Sequence, residues 1–375
     1  MSYQGCDQMQ LAIHFATPAD DAAIRQLLRR EPLPGRIRVT YQREPEFRLG
    51  CEVAGENCQV LVARLEDSGE IVGLASRSIR RVLVNGREQR LGYLGQLRID
   101  PRFRGRWLVS RGFSQLKRLH DGDPLPGYLA SIVDGNREAT GILVERRRRI
   151  FPEFHAVAEG RTLAIGVRRA KPPVSADVEI STPAGSELQE VADFLRMNGS
   201  RRQFCPAWTE ESLNRLSSLG LGMEDLRIAR RGGGIVGVAG IWDQSAYKQT
   251  VVHGYSGWLK TAAPLYNLGA AWLGRAGLPR PGEKLHSAYL SPVSIAHDEI
   301  AVFRALLREV YNFARSRRLD YLLAGFDSRD PLLPAACEYS HVMYPSRLYF
   351  AEWPDGGCSY GQLDGRPTYL DIATI

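Results

Sequence analysis

The chain repeats itself. Leu11-Ala-Ile-His-Phe15 reads as a strand and runs through Ala16-Thr17-Pro18-Ala19 into a helix over 21–29, with Ala23, Ile24, Leu27 and Leu28 on one face. Thr17 ahead of Pro18 is an N-cap followed by proline at the first helical position. The same order returns later: a strand over 178–180, then Ser181-Thr182-Pro183-Ala184, then a helix with Leu188, Val191, Ala192 and Leu195 on one face. Further along, Gly69-Glu70-Ile71-Val72-Gly73-Leu74-Ala75 matches Gly233-Gly234-Ile235-Val236-Gly237-Val238-Ala239. Thr17 to Ile71 spans 54 residues and Thr182 to Ile235 spans 53. Thr-Pro caps and Ile-Val-Gly strands are each common, but chance does not give them one shared spacing, so the chain reads as a duplicated unit.

The halves divide within 168–176, where Lys171-Pro172-Pro173 breaks regular structure and has linker composition. This predicts an N-terminal unit over 1–170, a C-terminal unit over 177–353 and a tail over 354–375. In the first unit, strands over 58–65 and 71–80 pair around 66–70, and a strand over 82–84 leads into Asn85-Gly86, a strong hairpin signal. In the second, strands over 225–230 and 235–243 pair around Gly232–Gly234, and a strand over 250–255 follows. The expected fold class is α/β, each half a mixed, mostly antiparallel sheet flanked by helices.

Length and composition agree. At 375 residues the chain is long enough for two cores, and 44% hydrophobic with 24% charged residues is the balance of a folded protein. No apolar run reaches the ~18–20 residues that cross a bilayer, and Met-Ser-Tyr-Gln-Gly-Cys-Asp lacks a secretion signal's basic and apolar regions. The six cysteines are scattered with no Cys-x-x-Cys pair, so reduced thiols in a cytoplasm are expected and structural zinc is not. The seven histidines show no metal-ligand spacing, and no metal is expected. The net charge of +7 is carried almost wholly by arginine. Arg146-Arg-Arg-Arg149 reads as the solvated end of a helix, where positive charge suits the dipole. No aromatic-interleaved basic stripe, helix-turn-helix or zinc-finger pattern occurs, so neither nucleic acid nor a membrane is an expected partner.

The chemistry concentrates in residues 91–113, Leu-Gly-Tyr-Leu-Gly-Gln-Leu-Arg-Ile-Asp-Pro-Arg-Phe-Arg-Gly-Arg-Trp-Leu-Val-Ser-Arg-Gly-Phe. A strand over 93–99 passes through an arginine-rich turn over 100–106 into a helix that starts at Trp107 and runs over 108–119. Free backbone N–H groups and the positive end of the helix dipole suit a phosphorylated ligand there, and Arg102, Arg104 and Arg106 add charge. After the helix come an apolar strand, Tyr128-Leu-Ala-Ser-Ile-Val133, and then Asp134-Gly-Asn136-Arg-Glu-Ala139.

This arrangement resembles the acyl-CoA-binding segment of the GNAT N-acetyltransferases, in tandem form. The family's pattern is a strand, Asp-Pro, two residues, then Arg/Gln-x-x-Gly-x-Gly/Ala. Anchored on Asp100-Pro101, the lead arginine is Arg104, and the two small positions fall on Trp107 and Val109. A second register leads with Arg102 and places Gly105 on the first glycine. Asn136 and Ala139 match the family's Asn-x-x-Ala after the next strand, while Leu143 stands where a thiolate-protonating tyrosine is usual.

The resemblance implies acetyl-CoA as acyl-donor co-substrate and a small amine as acceptor. Its pantetheine arm would pair with the backbone of Leu97 and Ile99, a form of strand addition. Its pyrophosphate would lie over Arg102, Arg104, Gly105, Arg106, Trp107, Leu108, Val109 and Ser110, with Asn136 beside it. Tyr93 and Gln96 are candidates to position water, and Asp134 is a candidate carboxylate that would alternatively cap the following helix. Glu44, in Arg43-Glu-Pro-Glu46, sits on the family's acceptor side by position. In the second half a strand over 285–290 leads through Ser291-Pro-Val-Ser-Ile-Ala-His-Asp298 into a helix bearing Phe303, Leu306, Leu307, Val310 and Ala314, with no Arg-x-x-Gly-x-Gly. That half is expected to have lost acyl-CoA binding, and the segment 258–284 to form a lid or wall of the acceptor pocket. Two other readings stay open: a silent binding protein that keeps only the fold, favoured by Trp107 and Val109, and a transferase using an acyl-carrier protein or aminoacyl-tRNA.

Overall fold

The computed structural model describes residues 11–32, 37–104, 106–145, 150–272, 278–353 and 360–374. Cys6, Gly105, the arginine run 146–149 and Cys358 lie outside the described residues. The first half contains β1 (Leu11–Phe15), α1 (Asp21–Arg30), β2 (Ile37–Gln42), α2 (Phe47–Ala54), β3 (Asn57–Leu65), β4 (Ile71–Val84), β5 (Arg87–Ile99), α3 (Arg106–Gly122), β6 (Tyr128–Val133), α4 (Arg137–Leu143) and β7 (Glu153–Gly166). The second contains β8 (Glu179–Ser181), α5 (Leu188–Gly199), β9 (Cys205–Pro206), α6 (Glu210–Ser217), β10 (Leu226–Arg231), β11 (Gly234–Trp242), β12 (Gln249–Tyr255) and α7 (Trp258–Trp272). It ends with β13 (Ser287–Ile295), α8 (Ile300–Ser316), β14 (Tyr321–Asp327), α9 (Leu333–Ala336) and β15 (His341–Glu352).

Local chemistry explains the repeat. Thr17 gives both its backbone N–H and its hydroxyl to Asp20, at 2.7 and 2.9 Å, which fixes the entry into α1. Ile24, Leu27 and Leu28 are then buried on one face, as are Leu188, Val191, Ala192 and Leu195 of α5. Asn85 and Gly86 both have positive φ, 51° and 77°, the pair that a two-residue hairpin turn matching strand twist requires. The expected short strand over 82–84 is therefore the end of β4, and β5 begins directly after the turn. Likewise β13 does not stop at Leu290: it continues through Ser291 and Pro292 to Ile295.

The halves share one 13-stranded sheet in the order β1-β3-β4-β5-β6-β15-β7-β14-β13-β11-β10-β8, with β9 added beside β4. The order is nearly the same read from either end. β5 and β6 are parallel, as are β13 and β14, and most other pairs are antiparallel. At the centre the halves exchange their last strands. β7 leaves the first half to pair with β14, and β15 leaves the second to pair with β6. The two exchanged strands pair with each other from His341↔Ile165 to Glu352↔Glu153.

Helices cover the sheet. α8 lays Val302, Phe303, Leu306, Leu307 and Val310 on β10, β11 and β13, burying all five completely. α3 packs Val109, Phe113 and Leu116 against Ile79 and Tyr128. The chain end also belongs to the body: Leu370, Asp371 and Ala373 are buried, and Gln203 donates its backbone N–H to the Pro367 carbonyl at 2.8 Å.

Because β7 has its neighbours β14 and β15 in the other half, residues 1–170 lack the partners of one long strand and one neighbour of β6. Expressed alone, this fragment is expected to be unfolded or aggregated, because bare apolar edges pair with other chains. Co-expression with residues 171–375 is expected to restore a soluble heterodimer. A monodisperse, cooperatively melting 1–170 fragment in size-exclusion chromatography and circular dichroism would contradict this topology.

Candidate active site

The site starts from a defect in the β4–β5 ladder. Ser76 pairs with Gly95, but Leu74 pairs with Arg98, so β5 holds one residue more than β4 across this step. The extra residue forms a bulge at Gln96, whose φ is 56°. A bulge bends a strand, and β5 and β6 accordingly pair at only two positions, Gly92↔Tyr128 and Tyr93↔Leu129. Beyond them the strands part, and the β6-facing edge of residues 94–99 has no ladder partner among the described residues. The close approach at the base of the cleft needs glycine at 92, where a Cβ would overlap the ring of Tyr128. That tyrosine is fully buried, with its hydroxyl 2.9 Å from His120 Nδ1 and accepting from Arg77 Nε at 3.3 Å.

The cleft opens into a cavity of ≈ 1470 Å³ at the junction of the halves. One wall is a ribbon that stands apart from the main sheet, β2 paired antiparallel to β12. Alternate residues of each strand face inward: Ile37, Val39, Tyr41 and then Arg43 from one, Lys248, Thr250 and Val252 from the other. α7 supplies Trp258, Ala262 and Leu265, so the segment after β12 forms a wall. Trp258 and Leu265 are also 65% and 74% exposed, which places them at an open rim. A small chamber behind the bulge is bordered by Arg43, Tyr93, Gln96 and Lys248, which also line the main cavity.

The sequence-derived residues divide into two groups. Tyr93, Gln96, Leu97, Ile99, Leu108, Val109, Asp134 and Asn136 all line the cavity. Arg102, Arg104, Trp107 and Ser110 do not. Gly105 lies outside the described residues, as does the side chain of Arg106. Arg102 is held by Asp100 at 2.7 Å and Glu70 at 2.8 Å, and Arg104 by Glu31 at 3.1 Å and Glu138 at 3.2 Å. The arginine turn is thus counter-charged by the protein's own carboxylates. These arginines are about half exposed, and such ion pairs contribute at most about 1 kcal/mol, so a phosphate can compete for them. Trp107 stands outside the cavity, 47% exposed beside Arg111, and Val109 is buried on the inner face of α3.

Three further assignments are refined. Asn136, not Asp134, caps α4, accepting the Ala139 N–H at 3.1 Å, while Asp134 is exposed at the cavity mouth. Glu44 turns away from the cavity to Arg25 and to Arg29, the latter at 3.1 Å. Its neighbour Arg43 points inward instead. Tyr93 is buried with the Arg80 guanidinium 4.1 Å above its ring, and burial pushes its phenol up to about 12. It is therefore protonated at any physiological pH.

The second half has a matching opening between β13 and β14, which pair only over Ser287–Tyr289. The chain's own end fills it. Tyr369 Oη accepts the Val293 N–H at 3.1 Å and Asp371 accepts from Ser291 Oγ at 3.1 Å, while Leu370 and Ile372 lie against Gly325 of β14. Among the described residues one opening is free and its counterpart is plugged.

A strand parted by a bulge beside the start of a helix, twice in one chain, decides the architecture. The fold is that of the GNAT acyltransferases, in duplicate. A GCN5-related N-acetyltransferase from Sphaerobacter thermophilus is similar over 97% of this chain and 98% of its own, with a TM-score of 0.56 and 16% identity. Saccharomyces cerevisiae N-myristoyltransferase with bound myristoyl-CoA is similar over 98% of this chain and 87% of its own, with a TM-score of 0.63 and 10% identity. A GCN5-related glucosamine N-acetyltransferase region of a fungal multi-domain GH3 β-N-acetylglucosaminidase is similar over 92% of this chain and 38% of that one, with a TM-score of 0.61 and 15% identity. Neither a protein-family model nor a curated protein sequence matches the chain, so the likeness is one of fold. Among the described residues no His, Cys, Asp and Glu group is arranged to hold a metal, and no helix is long and apolar enough to cross a membrane.

The sequence reading passed over Arg43, Arg98, Lys248 and the tyrosines near them. The available signal was the alternation 37-39-41-43, a period-2 inward face ending on an arginine. Burial and the neighbouring Arg43 hold the Lys248 ammonium well below the usual lysine range, and burial lowers the Arg43 and Arg98 guanidiniums.

The bulge itself is testable. Gln96→Gly is expected to leave stability unchanged or slightly raised, whereas Gln96→Val is expected to lose about 1–2 kcal/mol, because a β-branched residue resists positive φ. Urea unfolding of both variants checks the order, and equal loss in the two would contradict the bulge.

Proposed function

We propose that this chain is an acyl-CoA-dependent N-acyltransferase, with acetyl-CoA the simplest donor and a small amine the acceptor. The observation that carries the reading is the open β5–β6 cleft, which exposes an unpaired strand edge beside the start of α3 and leads straight to the cavity. An amide-bearing arm fits such an edge as an added strand. The N-terminal turn of α3, with Arg104 freed from Glu31 and Glu138, would take the diphosphate. The donor supplies the activated acyl group, and the chain's residues orient it.

The amine nitrogen forms a bond to the acyl carbon as the carbon–sulfur bond breaks. Tyr93 donates its proton to the departing thiolate, filling the place that Leu143 leaves vacant. The proton shed by the amine returns to Tyr93 through water held by Gln96, so protons balance over the cycle. Asp134 at the mouth attracts a cationic acceptor. A second reading, a longer acyl chain, is favoured by one observation: the cavity of ≈ 1470 Å³ is far larger than an acetyl group and a small amine fill, and its walls are largely apolar.

Calorimetric titration with acetyl-CoA and then with octanoyl-CoA tests donor use and chain length together. Arg104→Ala is expected to weaken both by about tenfold, the size of one charge-assisted contact. Tyr93→Phe is expected to leave donor affinity unchanged and lower kcat by about a hundredfold, as loss of a general acid does. No heat with either donor at millimolar concentration would sink the acyltransferase reading in favour of the silent binding protein or another donor.

A further inference from the structure

Two guanidinium groups line the cavity without an ion pair among the described residues. Arg43 follows β2 and is 5% exposed, yet it borders both the cavity and the chamber behind the bulge. Its one hydrogen bond among the described residues runs from Nη1 to the adjacent Gln42 carbonyl at 3.1 Å. Arg98 of β5 also lines the cavity and donates from Nη1 to its neighbour's carbonyl, Leu97, at 2.8 Å. Neither forms an ion pair among the described residues. Glu31, a carboxylate near Arg98, is held by Arg104. Glu44, next to Arg43 in sequence, is held by Arg25 and Arg29.

Other enclosed arginines are satisfied by carboxylates or carbonyls, as Arg80 is by the Ala54 carbonyl and Thr374. Arg202 meets Asp298 at 2.6 Å and Asp330 at 3.4 Å, and Arg230 meets Glu187 and Glu190, each at 2.6 Å. Arg43 and Arg98 instead lie close enough to repel each other, with the neutral phenol of Tyr41 beside both. Burying like charges together is unfavourable unless an anion joins them. A guanidinium offers a planar fork that matches a carboxylate in two hydrogen bonds. The donor's diphosphate is assigned above to Arg104, which does not line this cavity.

We propose that Arg43 and Arg98 recognise a carboxylate carried by the substrate, in the cavity beside the bulge. The position of the reacting centre rests on the acyltransferase reading, but the anion site does not. The carboxylate belongs either to the acceptor, making it an amino-acid-like amine with an apolar body, or to the acyl group, making it a dicarboxylic monoacyl unit. In both cases the apolar walls hold the carbon skeleton and the arginines fix its charged end.

Two matched pairs separate these sources by calorimetric titration of the intact protein: phenylalanine against phenethylamine, and succinyl-CoA against butyryl-CoA. The charged member of one pair is expected to bind about ten- to hundredfold tighter, the worth of a charge-assisted pair of hydrogen bonds. Arg43→Gln and Arg98→Gln are each expected to erase most of that preference. The wild-type comparison stands by itself should a variant fail to fold. Preference in the amine pair assigns the carboxylate to the acceptor, and preference in the donor pair assigns it to the acyl group. Equal affinity within both pairs, or no binding of either carboxylate, overturns the proposal. If neither CoA ester binds while phenylalanine is still preferred, the acyltransferase reading fails and the anion site survives.

Discussion

The pairing of β7 with β15 is the interaction on which the rest depends. Each strand is the last of its own half and a middle strand of the other, so neither half can complete its sheet alone. A duplicated unit with an ordinary linker would fold as two bodies with a mobile interface. Exchange of the final strands turns that interface into ladder hydrogen bonds and continuous core. Leu163 and Ile165 of β7 are completely buried in the core built by α8 and β14 of the second half. The cavity is held open between halves that cannot drift apart, which is what a site drawing residues from β5, β12 and β15 requires.

Within that frame, near-symmetry is broken where function is expected. Both halves carry two parallel strands that part from each other, and parting leaves backbone groups in search of partners. In the second half the end of the chain supplies them: Tyr369 and Asp371 meet β13 while Leu370 and Ile372 lie against β14. In the first half nothing comparable enters among the described residues. The same terminus reaches the floor of the first half's chamber, where Thr374 accepts hydrogen bonds from Arg80, the residue stacked on Tyr93. The plugged opening thus anchors a segment that shapes the open one.

Much of this was legible in the residues. Thr17-Pro18 marks a local cap, Asn85-Gly86 marks a turn, and Tyr128–Val133 is an apolar run of strand length. Each is a local signal, and each lies where expected. The parting of the strands was implied by the resemblance, yet the bulge that causes it was not, because one extra residue in β5 shows only against the register of β4. The strand exchange was equally invisible, since β7 and β15 look alike as isolated strands and only long-range pairing says which half each joins. The arginine turn was legible only in part. Charge pattern alone shows Arg102 and Arg104 beside a helix start, but Glu31, Glu70 and Glu138 come from distant segments to meet them.

That contrast separates two kinds of positive charge. Arg102 and Arg104 are exposed and paired with carboxylates, and such surface pairs are weak. Arg43 is buried and Arg98 half-buried, and both line the cavity. For such groups the loss of hydration is large, and removal of one partner from a buried pair is the costly event. A fold that seals Glu44 against Arg25 and Arg29, yet leaves the preceding residue, Arg43, facing an apolar chamber, concentrates unbalanced charge at one point. Desolvation strengthens any anion contact made there, because the surrounding walls are apolar and the phenols of Tyr41 and Tyr289 stay neutral, raised by burial. The ribbon of β2 and β12 holds this charge against the bulge, with Gln249 giving Nε2–H to the Glu44 carbonyl at 2.9 Å and accepting the Glu44 N–H at 3.0 Å. One residue from each half therefore fixes the direction in which Arg43 points, and specificity at this site is a property of the pair of halves.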